Sequence, residues 1–472
     1  MTDDRRVGAI AGTGADLTLR GWVVDPAAGF EGAAEVVVRD GVLLSISALE
    51  GAAAAGLGPD GILIAPGFVD LRAHLREPGH EDAETVASGL AAAAHGGFTT
   101  VCIAADTVPA VDEPGVLGRI RAAATAAGSP VRALVHGAIT DGRDGATLAA
   151  LGELADAGVI GFTDDPRPVG SAAILRNALL YAGSLGLPVM IAADDPDLAA
   201  GTEANEGYIA TVLGLRGAPA AAESGAVAAA IEILAGVVRD EPRARLHLGH
   251  LSTAASFAHV RAARAAGLPV TCDVAPHHLA LSDEWLAGAR RWAWEALDAD
   301  GGARDPWLDG VLDGRPFDPA LRVTPPLRDP IDAAACARAV ADGTAQAIAT
   351  DHAPRHEVET HVEFGEAPGG IAGLETAAAV ILAAVDAGRL TLVRAVEALT
   401  TGPAAVIGER HLPVPGLHQG RPADLVVIDR DATWTVTRDA LASRGWNQPL
   451  LGRELRGAVR LTIAAGRIAY SA

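Results

Sequence analysis

Residues 67–107 read GFVDLRAHLREPGHEDAETVASGLAAAAHGGFTTVCIAADT. A short β-branched run, Gly67–His74, gives way to an alanine-rich helical stretch, Thr85–His95, and then to a second run, Thr99–Ala104. A strand pattern, a helix pattern and another strand pattern in that order make a β-α-β unit. The rhythm recurs to Pro354, with runs at Val131–Ile139, Val159–Asp164, Pro188–Ala193, Arg245–Leu251, Pro269–Ala275 and Ala345–Asp351 and a helix over Ala172–Leu185. Eight such units predict an α/β fold, a closed (β/α)8 barrel of TIM type.

Outside the barrel the pattern changes. Ala15–Val24, Ala34–Ile46, Ala423–Asp429 and Val459–Tyr470 alternate or run apolar with Gly turns and no intervening helices, as antiparallel strands do. Because both ends are strand-rich, one small β-sandwich assembled from both termini is the economical arrangement. The expected division is 1–60 and 411–472 for the sandwich, and 61–410 for the barrel inserted between them. The segment 284–320 breaks the rhythm and holds four of the seven Trp residues. It predicts a helical insertion, either a lid packed on the barrel or, given its Trp content, a protein interface.

Half of the 472 residues are hydrophobic, ample for a large core, and the net charge is −22. Nucleic-acid backbones and anionic membranes are held by basic patches, so neither is an expected partner. The opening residues lack a long apolar core and no uninterrupted apolar run reaches about 18 residues, so neither signal peptide nor membrane span is expected and the cytoplasm is the expected compartment. Cys102, Cys272 and Cys336 are too few and too far apart for a disulfide framework. All 37 basic residues are Arg, which excludes a Schiff-base lysine, a P-loop lysine and a carboxylated-lysine metal bridge.

Barrel chemistry sits at the carboxyl ends of the strands. The first run ends Asp70-Leu71-Arg72-Ala73-His74, placing Asp70, Arg72 and His74 on one face. The fourth ends Thr163-Asp164-Asp165, the sixth contains His247-Leu248-Gly249-His250, and the eighth ends Thr350-Asp351-His352. Singly, such an Asp is more often a helix cap and such a His a hydrogen-bonded core residue. Converging from four strand ends, imidazoles and carboxylates describe a present or former divalent-metal centre.

With these residues in view, a family resemblance emerges. The opening stretch, GVIGFTDDPRPVGSAAILRNALLYAGSLGLPVMIAADDP, LHLGHLSTAAS, DVAPHHLALSDE, VTPPLRDP, AIATDHAP and EAPGGIAGLETA resemble the bacterial dihydroorotase series, over nearly the whole chain. The resemblance implies reversible hydrolysis of dihydroorotate to carbamoyl-aspartate in pyrimidine synthesis, with one or two zinc ions activating water beside a catalytic aspartate. Carried over residue by residue, it is broken. In the family's Asp-x-His-x-His motif the first His is Arg72 here, while His74 remains. Asp165 matches the bridging aspartate, and Ala192 replaces the histidine after the fifth strand. His250 and the catalytic Asp351 match. Among substrate positions Arg76 is retained, but the family's Asn is Asp106, another Asn is Thr324, and a His is Arg355.

A guanidinium sent among carboxylates can offset the charge of a missing cation. Opposite charges about 4 Å apart gain on the order of 4 kcal/mol at an effective dielectric near 20, before desolvation. Arg72 is therefore expected to stand in for the metal beside Asp70, Asp165 and Asp351, with no cofactor. The alternative turns Arg72 to solvent and leaves one zinc ion on His74, Asp165, His250 and Asp351. By resemblance to degenerate members of the family, the expected role is a non-catalytic assembly partner of aspartate carbamoyltransferase, in a homo- or hetero-oligomer. The competing expectation is an active zinc-dependent dihydroorotase or related cyclic amidohydrolase with a mononuclear site and Asp351 as general base.

Overall fold

The computed structural model describes residues 16–472. The expected strand from Ala15 therefore begins inside the described residues, at Leu17, and most of the opening segment on which the leader-peptide expectation rests lies outside them. Along the chain come β1 (Leu17–Asp25), β2 (Phe30–Arg39), β3 (Val42–Ala48) and β4 (Ile62–Pro66). The barrel strands β5 (Phe68–Ala73), β6 (Phe98–Ile103), β7 (Arg132–Val135) and β8 (Val189–Ala192) follow. A two-residue pair, β9 (Ala204–Asn205) and β10 (Gly217–Ala218), precedes β11 (Leu246–Gly249), β12 (Val270–Val274) and β13 (Ala347–Ile348). The chain closes with β14 (Leu425–Thr435), β15 (Glu454–Ala464) and β16 (Arg467–Ser471).

The barrel is parallel and closed. β5, β6 and β7 form one arc, and β8, β11, β12 and β13 the other. Bridges through Phe162 to Gly137 and Val189 join the arcs on one side, and Ala73 to His352 on the other. The fourth expected run, Val159–Asp164, is thus reduced to the single bridging residue Phe162. The other seven runs become strands, and Val86–His95 and Ala172–Leu185 are helices in the expected places. Thr85 caps the first of them through the Ser88 N–H, and Ser171 caps the second through that of Ile174.

Both termini build the sandwich, as one seven-stranded sheet in the order β16-β15-β14-β4-β1-β2-β3. Ala34–Ile46, expected as one stretch, is a hairpin turning at Asp40 and Gly41, and Val459–Tyr470 is another turning at Ala465 and Gly466. The sheet doubles over until Val42 bridges Pro422 and the Leu43 N–H donates to Arg421 O at 2.9 Å. It encloses Leu19, Val36, Leu43, Ile64, Leu425, Leu461 and Ile463. At the fold Gly41 has φ 74°, and a Cβ there would overlap the Gly466 backbone, so a side chain is excluded twice over. β4 also belongs to this sheet, six residues past the boundary expected at residue 60.

The insertion is not a helix of any length. It consists of turns at Asp283–Ala287, Ala293–Ala296, Pro306–Asp309 and Pro319–Leu321, because Gly288, Gly301, Gly302, Gly310 and Gly314 with three prolines interrupt every longer pattern. Its Trp residues turn inward: Trp285 is 1% exposed, Trp292 is 9% exposed, and Trp294 and Trp307 pack on the same core. Arg453, from the loop before β15, lies 4.0 Å over the Trp292 ring and clamps the insertion to the sandwich. Helix Ala220–Val237 is long and apolar enough by length and composition to cross a membrane. It packs against helices Ala172–Leu185 and Ala254–Ala265, with Glu223 buried and accepting from Ser252, Thr253 and Ser256.

Asp283, where the insertion leaves the barrel, is buried, with one carboxylate oxygen unpartnered and the other accepting from Asn205 at 3.2 Å. Burial pushes its carboxyl up to about 7. In the unfolded chain an aspartate titrates near about 3.9. The folded state therefore holds the extra proton between these values, and stability is lost as pH rises through them. Asp283→Asn keeps the shape without the charge. It is expected to match the parent below about pH 4 and to exceed it by about 4 kcal/mol above about pH 7 in urea melts. Equal stability of the two at pH 8 would count against a buried acid.

Candidate functional site

The carboxyl ends of β5, β11, β12 and β13 and the segment after Phe162 converge on one buried cluster centred on Arg72. The Arg72 side chain is 5% exposed. Its Nη1 donates to Asp165 Oδ2 at 3.2 Å and its Nη2 to Asp273 Oδ2 at 2.5 Å, while Nε lies 3.9 Å from Asp351 Oδ1. Gly249 makes this possible, since a Cβ there would stand 2.8 Å from Arg72 Cζ. Arg72 is thus not turned to solvent. Its guanidinium is locked in the charged form: burial opposes the charge, but Asp273, Asp165 and Asp351 outweigh it.

The expected pairing with Asp70 is not formed. Asp70 points inward but accepts from Thr350 N at 2.7 Å and Thr350 Oγ1 at 2.6 Å, and burial pushes its carboxyl up to about 7. Its place as a partner of Arg72 is taken by Asp273, on β12. Asp273 also accepts from His247 Nε2 at 2.8 Å, if that nitrogen carries the proton, and from the His250 N–H at 2.7 Å. Despite complete burial its carboxyl stays well below the usual range, because Arg72 and His247 face it. The signal for Asp273 was present in the sequence, as a carboxylate at the end of the seventh run.

His74, Asp165 and Asp351 bring ligand-type atoms within 4.8 Å of one another, all buried. His74 Nε2 is 3.8 Å from Asp165 Oδ1 and 3.6 Å from Asp351 Oδ1. Burial would lower the His74 imidazole, but Asp106 at 2.9 Å from Nδ1 and Asp351 prevail and push it up to about 9. His250 joins the cluster through Nε2, 3.1 Å from Asp165 Oδ2. Burial and Arg72 lower it, yet Asp165 and Asp351 leave it raised overall. Asp165 and Asp351 are both held below the carboxylate range by these cations, against the effect of burial. Arg76, His250 and Asp351 all take left-handed backbone conformations, with φ of 61°, 41° and 51°. Strain of this kind in non-glycine residues persists only where surrounding structure imposes it, and it gathers at sites.

Towards the mouth, Arg76 donates to Asp106 at 2.8 Å, so the carboxylate at 106 shares both Arg76 and His74. Arg355 gives Nε and Nη2 to Gly369 O at 3.0 and 2.7 Å, and burial and Arg76 pull it down to about 10. Thr324 is exposed and lies beside Gly369. Ala192 ends β8, paired in register with Gly249, and offers no donor atom.

A two-metal centre does not fit these residues. The Arg72 guanidinium lies on Asp165, and Ala192 at the end of β8 offers only a methyl group. His74, Asp165 and Asp351 gather donor atoms for a single divalent ion, but Asp165 Oδ2 is already shared by Arg72 and His250. Asp165 Oδ1 is left without a hydrogen-bond partner. What the arrangement does chemically is neutralise three buried carboxylates with cations of the chain itself.

Residues 61–238 match a family model described as dihydro-orotase-like. The chain is 42% identical over 455 residues to the dihydroorotase of Anaeromyxobacter dehalogenans, covering 95% of this chain and 96% of that one. It is 40% identical over 450 residues to the dihydroorotase of Pelotomaculum thermopropionicum, again covering 95% and 96%. Among solved structures, the L-hydantoinase (dihydropyrimidinase) of Arthrobacter aurescens superposes with TM-score 0.74 at 20% identity, covering 95% of this chain and 94% of that one. The D-hydantoinase of Bacillus sp. AR9 superposes with TM-score 0.72 at 21% identity, covering 96% and 94%. At that identity the two superpositions bear on the barrel-and-sandwich fold.

Proposed function

The chain belongs to the dihydroorotase family, and from that premise we propose that it is a non-catalytic member, retained as an assembly partner of aspartate carbamoyltransferase in the cytoplasm. The observation that carries the first half is the Arg72 guanidinium seated on Asp165, Asp273 and Asp351. Hydrolysis of a cyclic amide by this family's chemistry needs a Lewis acid and an activated water, with one coordination position left open. Here the cation is covalently fixed in the chain and has no such position. Asp106 on Arg76 removes the second requirement, a free guanidinium for the substrate carboxylate. The partner half rests on family resemblance, and a chain that keeps the whole fold without the chemistry suits a scaffold.

Elemental analysis of the purified protein, paired with a dihydroorotate hydrolysis assay on the same sample with added zinc, tests the non-catalytic half. The expected result is well under one zinc per chain and no turnover above background. One zinc per chain with turnover would sink it.

The donor group His74, Asp165 and Asp351, with His250 on Asp165, favours a second reading, an active zinc-dependent dihydroorotase or related cyclic amidohydrolase with Asp351 as general base. That reading requires Arg72 to vacate Asp165, and so predicts turnover in the same assay.

A further inference from the structure

Beside the barrel mouth runs a groove of about 1110 Å³, walled by Leu215 and Arg216, by Phe317, and by Val362, Glu363 and Glu366. The last wall belongs to EVETHVEFGE, residues 357–366, in which Val358 is 71% exposed and Val362 is 36% exposed, between four glutamates. The loop is pinned rather than loose. Arg322 donates to Phe364 O and Gly365 O at 3.2 and 2.8 Å, and Phe364 is buried. Next to the Leu215 wall, helix Tyr208–Leu213 adds exposed Tyr208 and Val212, with Tyr208 edge-on to Trp307 at 5.5 Å. Apolar side chains held in water on an anchored surface and rimmed by charge mark an interaction site.

We propose that this groove docks an apolar segment flanked by Arg or Lys on a partner protein. The inference rests on the assembly-partner reading above and names the surface and the chemistry that reading lacks. Charge decides the occupant. Glu363 and Glu366 are exposed on one wall, Glu357 and Glu359 being engaged by His361 and the His356 N–H, whereas Arg216 is committed to Glu203. Among the described residues that leaves Arg315 as the one groove guanidinium outside an ion pair. A second copy would bring one uncommitted guanidinium against two free carboxylates, so self-association through this face is disfavoured. A basic-flanked segment satisfies them, with the valines and Phe317 receiving its apolar residues. Such complementarity acts mainly on encounter rate and specificity, and it is screened by salt.

The test uses the full chain and purified aspartate carbamoyltransferase from the same source, with affinity measured by surface plasmon resonance at low and moderate salt. Two variants are compared with the parent: Val358→Asp with Val362→Asp, and Glu363→Arg with Glu366→Arg. Support is at least a tenfold loss of affinity in both, with an unchanged melting temperature and a weaker salt dependence in the charge variant. Parental affinity in both variants overturns the groove while leaving the assembly reading intact. No binding by the parent overturns the assembly reading and the groove with it. Self-association of the parent in sedimentation, abolished by the same substitutions, makes the occupant a second copy and also overturns the proposal. Because the substituted side chains are exposed and lie in one short loop, a lower melting temperature in one variant leaves the other to decide.

Discussion

Replacing Arg72 with methionine is expected to destabilise the protein by about 3–5 kcal/mol, the range for removing one partner of a buried ionic network. Methionine fills much of the space but leaves Asp165, Asp273 and Asp351 without their shared cation, and Asp273 is fully buried. The His74 and His250 rings cannot take over, because Asp106 already holds the first and the second reaches only Asp165 within hydrogen-bond distance. Urea denaturation at neutral pH checks this through a lower midpoint at unchanged slope. Adding Asp273→Asn to Arg72→Met should recover part of the loss, since the two residues are coupled at 2.5 Å. A loss below about 1 kcal/mol, the scale of a surface pair, would mean that the guanidinium spends its time in water.

The second large effect is a gain. Arg72→His together with Ala192→His is expected to convert a chain that retains well under one zinc into one that retains at least one through dialysis. Each change supplies an imidazole, and the first removes the guanidinium from Asp165 and Asp351 at the same time. His74, Asp165 and His250 are already placed by their strands, and the backbone strain at His250 and Asp351 is still present. Elemental analysis after dialysis is the readout, so the result does not depend on recovered activity. Either single variant should gain less, because Ala192→His alone leaves the internal cation in place. Zinc retention in the double variant no better than in the parent would show that the strand ends have drifted out of coordinating register, and that more than two side chains separate this site from a metal centre.

How far the sequence reaches is clearest at particular residues. The strand and helix runs were legible because period and capping are local properties, and seven of eight barrel strands stand where the pattern put them. The fourth did not, because Gly158 and Gly161 flank its core and the ladder there contracts to Phe162. The insertion was placed correctly but misread as helical, since its Trp residues weigh more in composition than its glycines do. Its inward Trp packing and the Arg453 clamp come from segments 160 residues apart. At the site, Arg72, His74, Asp165, His250 and Asp351 stood out in the sequence because they lie at the ends of strand-like runs. Asp165 and Asp351 were expected beside Arg72, whereas the pairing with Asp273 and that of Asp106 with His74 and Arg76 were not.

Sequence alone determined the barrel, the two-ended sandwich, the arginine at position 72, the alanine at 192 and the want of any lysine, because these are matters of which residue stands where along one strand or loop. The tertiary structure alone decided that Asp273 rather than Asp70 is the closest partner of Arg72, that Asp106 occupies both Arg76 and His74, and that the sandwich is one sheet doubled over. A carboxylate pairs with whichever cation the closure of the barrel brings within about 3 Å, and in a low-dielectric interior that choice dominates its energy. No local pattern records which strand ends will meet.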